Sequence, residues 1–597
     1  MPRMRTYANL TLAAAAVGSV LIVLGGAVCF MEAAKAIPDW PASFGGIAPP
    51  AEPGAFVEYL HRVAAAIVAG LVIAAAVIGL RRYRSHPWLS IPPAVAVALL
   101  GLVSTVGALV VLTTVSPALA ALDLASALMV LALMVTSTLV ARRLRRNPGH
   151  RGRLAFRDPF SRLTLAAGAA LYVVLATGLS VGNPAPGNCL GLPLWGGFSL
   201  TPGRQGWLAV SHLLLSGVAA ALVVAVVVMA WLKRRAETVS LCLASGVGAL
   251  LFGLLLTGEL AAARGFPWSL MAIRVCSAAV LWGVLVALAV WEGLRATAPA
   301  TERARGAPPS SRGIRRARDL ASTTRPLVTG LLLVTGYAGM LSAGGGVPPL
   351  WLTFRTLLAL ALAAGGAQAI NQYMDRDMDA AMTRTAGRPL PAGRLAPAEA
   401  LAWGLTLCIG SLYLMGTLVG SLAAAATALG IGWYLLVYTG LLKRRSPQSI
   451  VIGGVAGALM PIVGCVAASG RLSVTAILLS LIVFLWTPPH FWSLAVLRVQ
   501  DYSKAGVPVL PAIRGEASAR TRILLYSAVL VAATVGLSLL GAARSLFIVA
   551  AIALGGFLLY RAWGMRRGGE LAAARMYRYS SVYLALLLVA LAADQLI

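Results

Sequence analysis

Asn371, Asp375 and Asp379 stand four residues apart in the stretch NQYMDRDMDAAMTRTAGRPL, in a chain that is 59% hydrophobic and carries a formal charge of +30. On a continuous helix the i, i+4, i+8 spacing puts all three on one face. Three oxygen-bearing side chains on one face repel one another unless a cation sits among them. A hard divalent ion that also grips phosphate oxygens, Mg2+ above all, suits such a set. Asp377 lies off that face. Arg384 and Arg388 follow at once and add charge for a diphosphate. Membrane orientation is set by Lys and Arg, so topology alone gives no reason for acids at this spacing.

A second acidic point is Asp501 in RVQDYSKAGVPVLP, which follows another apolar run two loops further along on the same side. Between the two, YTGLLKRRSPQS supplies Tyr438, Lys443 and Arg444. These loops are expected to face each other across the mouth of a cavity.

The elements that must carry these residues are long and apolar. Mean hydropathy is +0.85 and only 11% of residues are charged. Runs of about 20 apolar residues recur from Leu10 onward, giving roughly seventeen helices. The class expected is an all-α polytopic membrane protein, since a barrel would alternate. The first run, near 8–30, follows the basic MPRMR but is too long for a signal peptide, so it is read as a helix. The basic residues fall in every second loop: 81–86, 141–153, 232–235, 295–325, 442–445 and 561–567. That is the positive-inside pattern rather than a nucleic-acid surface, and it predicts a cytoplasmic N-terminus and an external C-terminus in the cell membrane. The six cysteines show no CxxC, and neither a disulfide nor a thiolate metal site is expected.

A Pro-, Ala-, Ser- and Arg-rich stretch, 296–325, reads as a basic cytoplasmic linker and divides the chain into 1–295 and 326–597. The first part repeats: His61 and His212 lie 151 residues apart, as do Asp123 and Arg274. Two four-helix units are expected, about 1–148 and 149–295. The four polar residues fall near the outer helix ends, with Glu58 beside His61, where they are costly unless paired or functional. An imidazole projecting into a four-helix unit is one way to hold haem.

With Glu58-Tyr-Leu-His61-Arg62 and Asp39-Trp40-Pro41, residues 1 to about 295 resemble the heme A synthase family. The resemblance implies a haem b cofactor, His61 and His212 as iron ligands, a role for Glu58, and oxidation of a haem O methyl to formyl with an outside electron donor. The family's second histidine in each unit is replaced here by Asp123 and Arg274, and its first-loop cysteine pair is missing. Asp123 could instead pair with His61 or Arg62, and Arg274 with Glu259.

Residues 326–597 resemble the UbiA-type intramembrane prenyltransferases, and within them the protoheme IX farnesyltransferase (heme O synthase) subgroup. The match is carried by NQYMDRDMDAAMTRTAGRPLPAGRL, YTGLLKRRSPQSIVIGGVAGALMPIVG and FLWTPPHFWSLAVLRVQDYSKAGVPVLP. It implies a nine-helix bundle, Mg2+ on Asn371, Asp375, Asp379 and Asp501, diphosphate on Tyr438, Lys443, Arg444, Arg384 and Arg388, and farnesyl diphosphate and protohaem IX as substrates. His490, in the aromatic stretch, is left either as a haem contact or as a residue packed near Trp486 and Trp492. The two resemblances put consecutive haem modifications on one chain, with haem O as the shared compound and haem-copper oxidase assembly as the destination. No nucleic-acid partner is expected.

Overall fold

A computed structural model describes residues 2–31, 33, 36–37, 52–112, 117–149, 152–181, 204–265, 267–297, 313–343, 346–540 and 543–596. Among these, sixteen helices are long and apolar enough to cross a membrane, and Pro326–Leu341 is a shorter apolar helix. Among the described residues the regular structure is helical, and the chain is polytopic, as the hydropathy predicts. It divides into two compact units, Met1–Ala307 and Pro308–Ile597.

The N-terminal unit contains α1 (Pro2–Phe30), α2 (Pro53–Arg82), α3 (Pro87–Leu112), α4 (Pro117–Arg146), α5 (Pro159–Val181), α6 (Arg204–Lys233), α7 (Thr238–Ala263) and α8 (Trp268–Arg295). Five of these begin on proline, whose fixed φ and missing N–H suit the first turn. Arginines or lysines fill the last turns of α2, α4, α6 and α8, where they complement the helix dipole and mark one membrane face. α1 packs on α2 and α4, and α3 on α4; likewise α5 packs on α6 and α8, and α7 on α8.

The 151-residue offset carries through to the contacts. The Tyr7 ring packs on that of Tyr83, tilted with centroids 5.0 Å apart, and its hydroxyl donates to the Leu89 carbonyl at 2.5 Å. At the corresponding positions Asp158 pairs with Arg234 at 3.1 Å, and Arg234 also reaches the buried Glu292 at 3.2 Å. One repeat closes this end with an aromatic pair, the other with an ion network. Asp39-Trp40-Pro41 and Cys189 lie outside the described residues.

Two expectations are corrected here. Cys29 is disulfide-bonded, whereas Cys242, Cys276, Cys408 and Cys465 are free. Sequence spacing gives no sign of this bond, because the fold rather than the chain brings sulfur atoms together. The stretch 296–325 also contains a helix, α9 (Gly313–Thr323). Arg316 of α9 forms an ion pair at 2.6 Å with the fully buried Glu399, and Asp319 pairs with Arg394 at 3.2 Å. Arg316 and Asp319, in a stretch that reads as a solvated linker, therefore fasten this helix to the rest of the C-terminal unit.

That unit continues with α10 (Pro326–Leu341), α11 (Leu350–Met374), α12 (Arg376–Ala381), α13 (Pro397–Leu414), α14 (Ser421–Gly432), α15 (Ser449–Gly453), α16 (Val455–Ser469) and α17 (Val474–Leu497). It ends with α18 (Val499–Lys504), α19 (Leu510–Arg514), α20 (Glu516–Leu539), α21 (Ser545–Gly564) and α22 (Glu570–Leu596). A π-helical segment, Trp433–Leu442, extends α14. A core of Trp486, Trp492, Phe547 and Tyr583 ties α17 to α20, α21 and α22.

α11, which delivers Asn371, is held by a close crossing with α13. A side chain carbon at Gly404 would sit 2.8 Å from the Gly366 carbonyl oxygen, and one at Gly366 equally close to that of Gly404. Small residues let helix backbones meet in a membrane, where lipid supplies no hydrophobic drive. Gly404→Val should therefore destabilise the unit by about 1–3 kcal/mol or more, read as a lower melting temperature in detergent. Gly410→Ala, which meets no atom within 4 Å, should melt like the parent.

Candidate functional site

α11 ends at Met374, and Asp375 sits at the junction with φ −95° and ψ 2°. The one-face expectation for Asn371, Asp375 and Asp379 assumed an unbroken helix. The helix is interrupted there, yet the chain of backbone bonds survives: Asp375 N–H donates to the Asn371 carbonyl at 2.9 Å and Asp379 N–H to that of Asp375 at 2.8 Å. All three side chains are buried.

Each carboxylate meets a different cation. Lys443 Nζ pairs with Asp375 Oδ2. Arg388 pairs with Asp379 Oδ2 at 2.6 Å. Arg444 grips Asp377 through two nitrogens, both at 2.6 Å, on the exposed side. Those bonds from Arg444 hold the Asp377 carboxyl down at about 2 and raise Arg444 itself. Burial, followed by the charge of Arg325, lowers Arg388, and Asp379 works against that shift.

Of the other predicted residues, Tyr438 lies under Lys443, with the ammonium 5.7 Å from the ring centre, and stacks on Tyr434 at 5.7 Å. Arg384 is exposed. Asp501 lies on α18, partly exposed. Its neighbour Tyr502 packs with Met378 and Met382, so the two acidic loops are adjacent.

The sequence reading missed Thr439, which accepts a bond from Asn371 Nδ2 at 3.0 Å, and Arg325, whose Nη2 lies 3.5 Å from Asn371 Oδ1. Arg325 adopts φ 45°, the one non-glycine residue with positive φ among those described. The Arg-Pro step before α10 was the available signal for it. Thr439 had none beyond lying four residues before Lys443.

Among the described residues no three His, Cys, Asp or Glu side chains converge as a preformed metal cage. Mg2+ does not require one: it is commonly held by one or two carboxylates, water and substrate phosphate. Asp375 Oδ1 is buried with no hydrogen-bond partner. An unpaired carboxylate oxygen is costly to bury, so the donor set fits a cation at this point.

Further along the unit, His490 stacks on Trp486 at 4.5 Å and on Tyr577 at 4.8 Å, and its Nδ1 is 2.8 Å from Ser580 Oγ. Trp492 instead packs edge-on to Tyr526.

The N-terminal candidates do not converge in this way. Glu58 pairs with Arg62 at 2.9 Å, and Arg62 also donates to the Ile37 carbonyl at 3.2 Å. Among the described residues, Asp123 Oδ1 and His61 Nδ1 are buried without hydrogen-bond partners. The His61 ring packs against Gly25 of α1. His212 is buried with Thr177 Oγ1 3.4 Å from its Nδ1. Buried Arg274 lies over Gly258, feels the charge of Glu259, and lines, with Ser216 and apolar side chains, a cavity of about 80 Å3 between α5, α6, α7 and α8.

The family model for the UbiA prenyltransferase family matches residues 332–587. The protoheme IX farnesyltransferase of Roseiflexus sp. (strain RS-1) is 36% identical over 451 residues, covering 73% of this chain and 84% of that protein. Since the C-terminal unit is under half of the chain, this alignment extends into the N-terminal unit. The protoheme IX farnesyltransferase of Parvibaculum lavamentivorans is 43% identical over 290 residues, covering 48% of this chain and 91% of that protein. A solved UbiA homologue from Aeropyrum pernix K1 is 21% identical, covers 45% of this chain and 96% of that one, and has a TM-score of 0.37. The chain thus belongs, through its C-terminal unit, to the UbiA prenyltransferase family, alongside the protoheme IX farnesyltransferases.

Proposed function

We propose that the C-terminal unit transfers a farnesyl group from farnesyl diphosphate to a vinyl group of protohaem IX, giving haem O. The observation that carries this is a buried set of Asn371, Asp375 and Asp379 already interleaved with Lys443 and Arg388. The protoheme IX farnesyltransferases aligned with it supply the substrate class.

Asn371, Asp375 and Asp379, with Asp501 from the adjacent loop, would hold Mg2+. When bound, the ion supplies charge that stabilises the departing diphosphate. Lys443 and Arg388 stand inside the cluster, so they meet the developing phosphate charge without being drawn from bulk water. Tyr438 flanks Lys443, Arg384 adds charge from the exposed loop, and Arg444 fixes Asp377 at the rim. The allylic C–O bond breaks with its electrons leaving on diphosphate. A haem vinyl group bonds to the allylic carbon, and water adds its oxygen to the resulting cation as a proton leaves. Trp486, Tyr577 and Phe491 form an apolar, aromatic surround in which His490, with Nδ1 held by Ser580, offers Nε2 to the haem. The basic helix ends support a cytoplasmic face for the cluster, a cytoplasmic N-terminus and an external C-terminus.

Oxidation of haem O to haem A is the further reading for the N-terminal unit, supported by the repeated His61 and His212. The residues present do not fit a bis-histidine haem b. Asp123 and Arg274 occupy the second positions, His61 is packed on Gly25, and the cavity beside α6 is far below the roughly 300–1,000 Å3 of ordinary small-molecule sites.

Asp375→Asn should cut haem O formation by about 100-fold or more, measured by mass spectrometry of extracted haems. The exposed Asp377→Asn should stay within about threefold of the parent, because its loss frees only a surface pair. Equal activity of Asp375→Asn and the parent would remove the cluster from the reaction. In membranes where this chain is the only haem-modifying enzyme, haem O without haem A is the expected product. Haem A that disappears in His61→Ala and His212→Ala would instead establish the oxidation.

A further inference from the structure

We infer that Thr439 is a positioning residue for Asn371, its hydroxyl fixing the side-chain amide so that Oδ1 rather than Nδ2 is turned toward the cation. This rests on the reading of the cluster as a Mg2+ and diphosphate site.

Both residues are buried, Asn371 at 1% and Thr439 at 4% exposure. Asn371 Nδ2 donates to Asp375 Oδ2 at 2.8 Å and to Thr439 Oγ1 at 3.0 Å, which uses both of its hydrogens. Thr439 spends its own single hydrogen on the Tyr434 carbonyl at 2.8 Å. Its oxygen can therefore only accept from Asn371. Rotating the amide by half a turn would set Oδ1 against two acceptors, the Asp375 carboxylate and a hydroxyl with no hydrogen left to give. The network thus assigns the amide orientation and leaves Oδ1 facing away, with Arg325 at a long 3.5 Å.

The π-helical segment makes this possible. Its wider turn lets Thr439 bond five residues back to Tyr434, and Lys443 N–H likewise donates to the Tyr438 carbonyl at 2.9 Å. Thr439 and Lys443 then lie one turn apart and reach the same pair of residues, Thr439 holding Asn371 and Lys443 holding Asp375 Oδ2. Asn371 Nδ2 and Lys443 Nζ together occupy the side of Asp375 that bears Oδ2. What stays open is Asn371 Oδ1 and the unpartnered Asp375 Oδ1. These are the two oxygens a hard cation would use.

Thr439→Val keeps the shape and removes the acceptor, while Thr439→Ser restores it. The test uses the full-length chain in detergent with inorganic diphosphate, titrated with Mn2+ as a paramagnetic stand-in for Mg2+ and followed by electron paramagnetic resonance. Loss of a group that orients a metal ligand typically weakens binding 10–100-fold, so Thr439→Val should raise the Mn2+ Kd by roughly tenfold or more and Thr439→Ser by about threefold at most. Thr439→Ser should melt like the parent, and Thr439→Val somewhat lower, since a buried Asn371 N–H loses its acceptor. Should the valine variant fail to fold, Thr439→Ala against Thr439→Ser gives the same comparison of hydroxyl absent and present. Tight Mn2+ binding by the parent with no change in the valine variant overturns the role of Thr439 alone. Equal weakening in the valine and serine variants also overturns it, since the hydroxyl would not be the cause. No Mn2+ binding by the parent overturns the cluster reading and this inference with it.

Discussion

Carboxylates cannot be left bare where a membrane protein keeps water out, and the C-terminal unit is organised around meeting that cost at Asp375. Its Oδ2 receives both Lys443 and Asn371, while Oδ1 receives nothing. Removing a charge from water costs several kcal/mol unless a partner is supplied, so each element that brings a partner is constrained by this one side chain. Asn371 comes from the same helix one turn earlier, and the π-helical segment must be wound so that Lys443 arrives from a second element. The wide turn before Lys443 serves that requirement.

The pairing is asymmetric in a useful way. Cations already seated among the acids keep the cluster tolerable before any substrate enters, and they are the same groups a diphosphate would attract. Asp377 shows the contrast. It is solvent-facing, its bidentate bond to Arg444 holds it ionised, and its charge is committed at the rim. Among four acidic or amide side chains in one short stretch, burial separates those that can serve chemistry from the one that fastens a loop.

In the N-terminal unit the same physics gives a different outcome. The internal repeat preserves helix packing, yet Tyr7 and Tyr83 stand where Asp158 and Arg234 form an ion pair. A scaffold of repeated four-helix units tolerates either solution, because both close the same helix ends. Glu58 is neutralised by Arg62 rather than left to His61, and Arg274 lies over Gly258. At the positions of the expected second histidines, Arg274 packs over Gly258, whereas Asp123 keeps a buried Oδ1 with no hydrogen-bond partner among the described residues.

The sequence by itself determined the all-helical, membrane-spanning class, the placement of basic residues in every second loop, the 151-residue offset, and the residues of the acidic cluster. All of these are local or periodic signals: apolar run length, charge placement and residue spacing are written along the chain. It did not determine which cation meets which acid, that α11 breaks at Asp375, that α9 forms in a stretch resembling a linker, or that Cys29 is bonded. Those features depend on side chains brought together from distant positions, such as Thr439 with Asn371 and Arg316 with Glu399. Tertiary structure decided them because burial sets the cost of each unpaired charge, and only the folded chain fixes what is buried and which partner lies within reach.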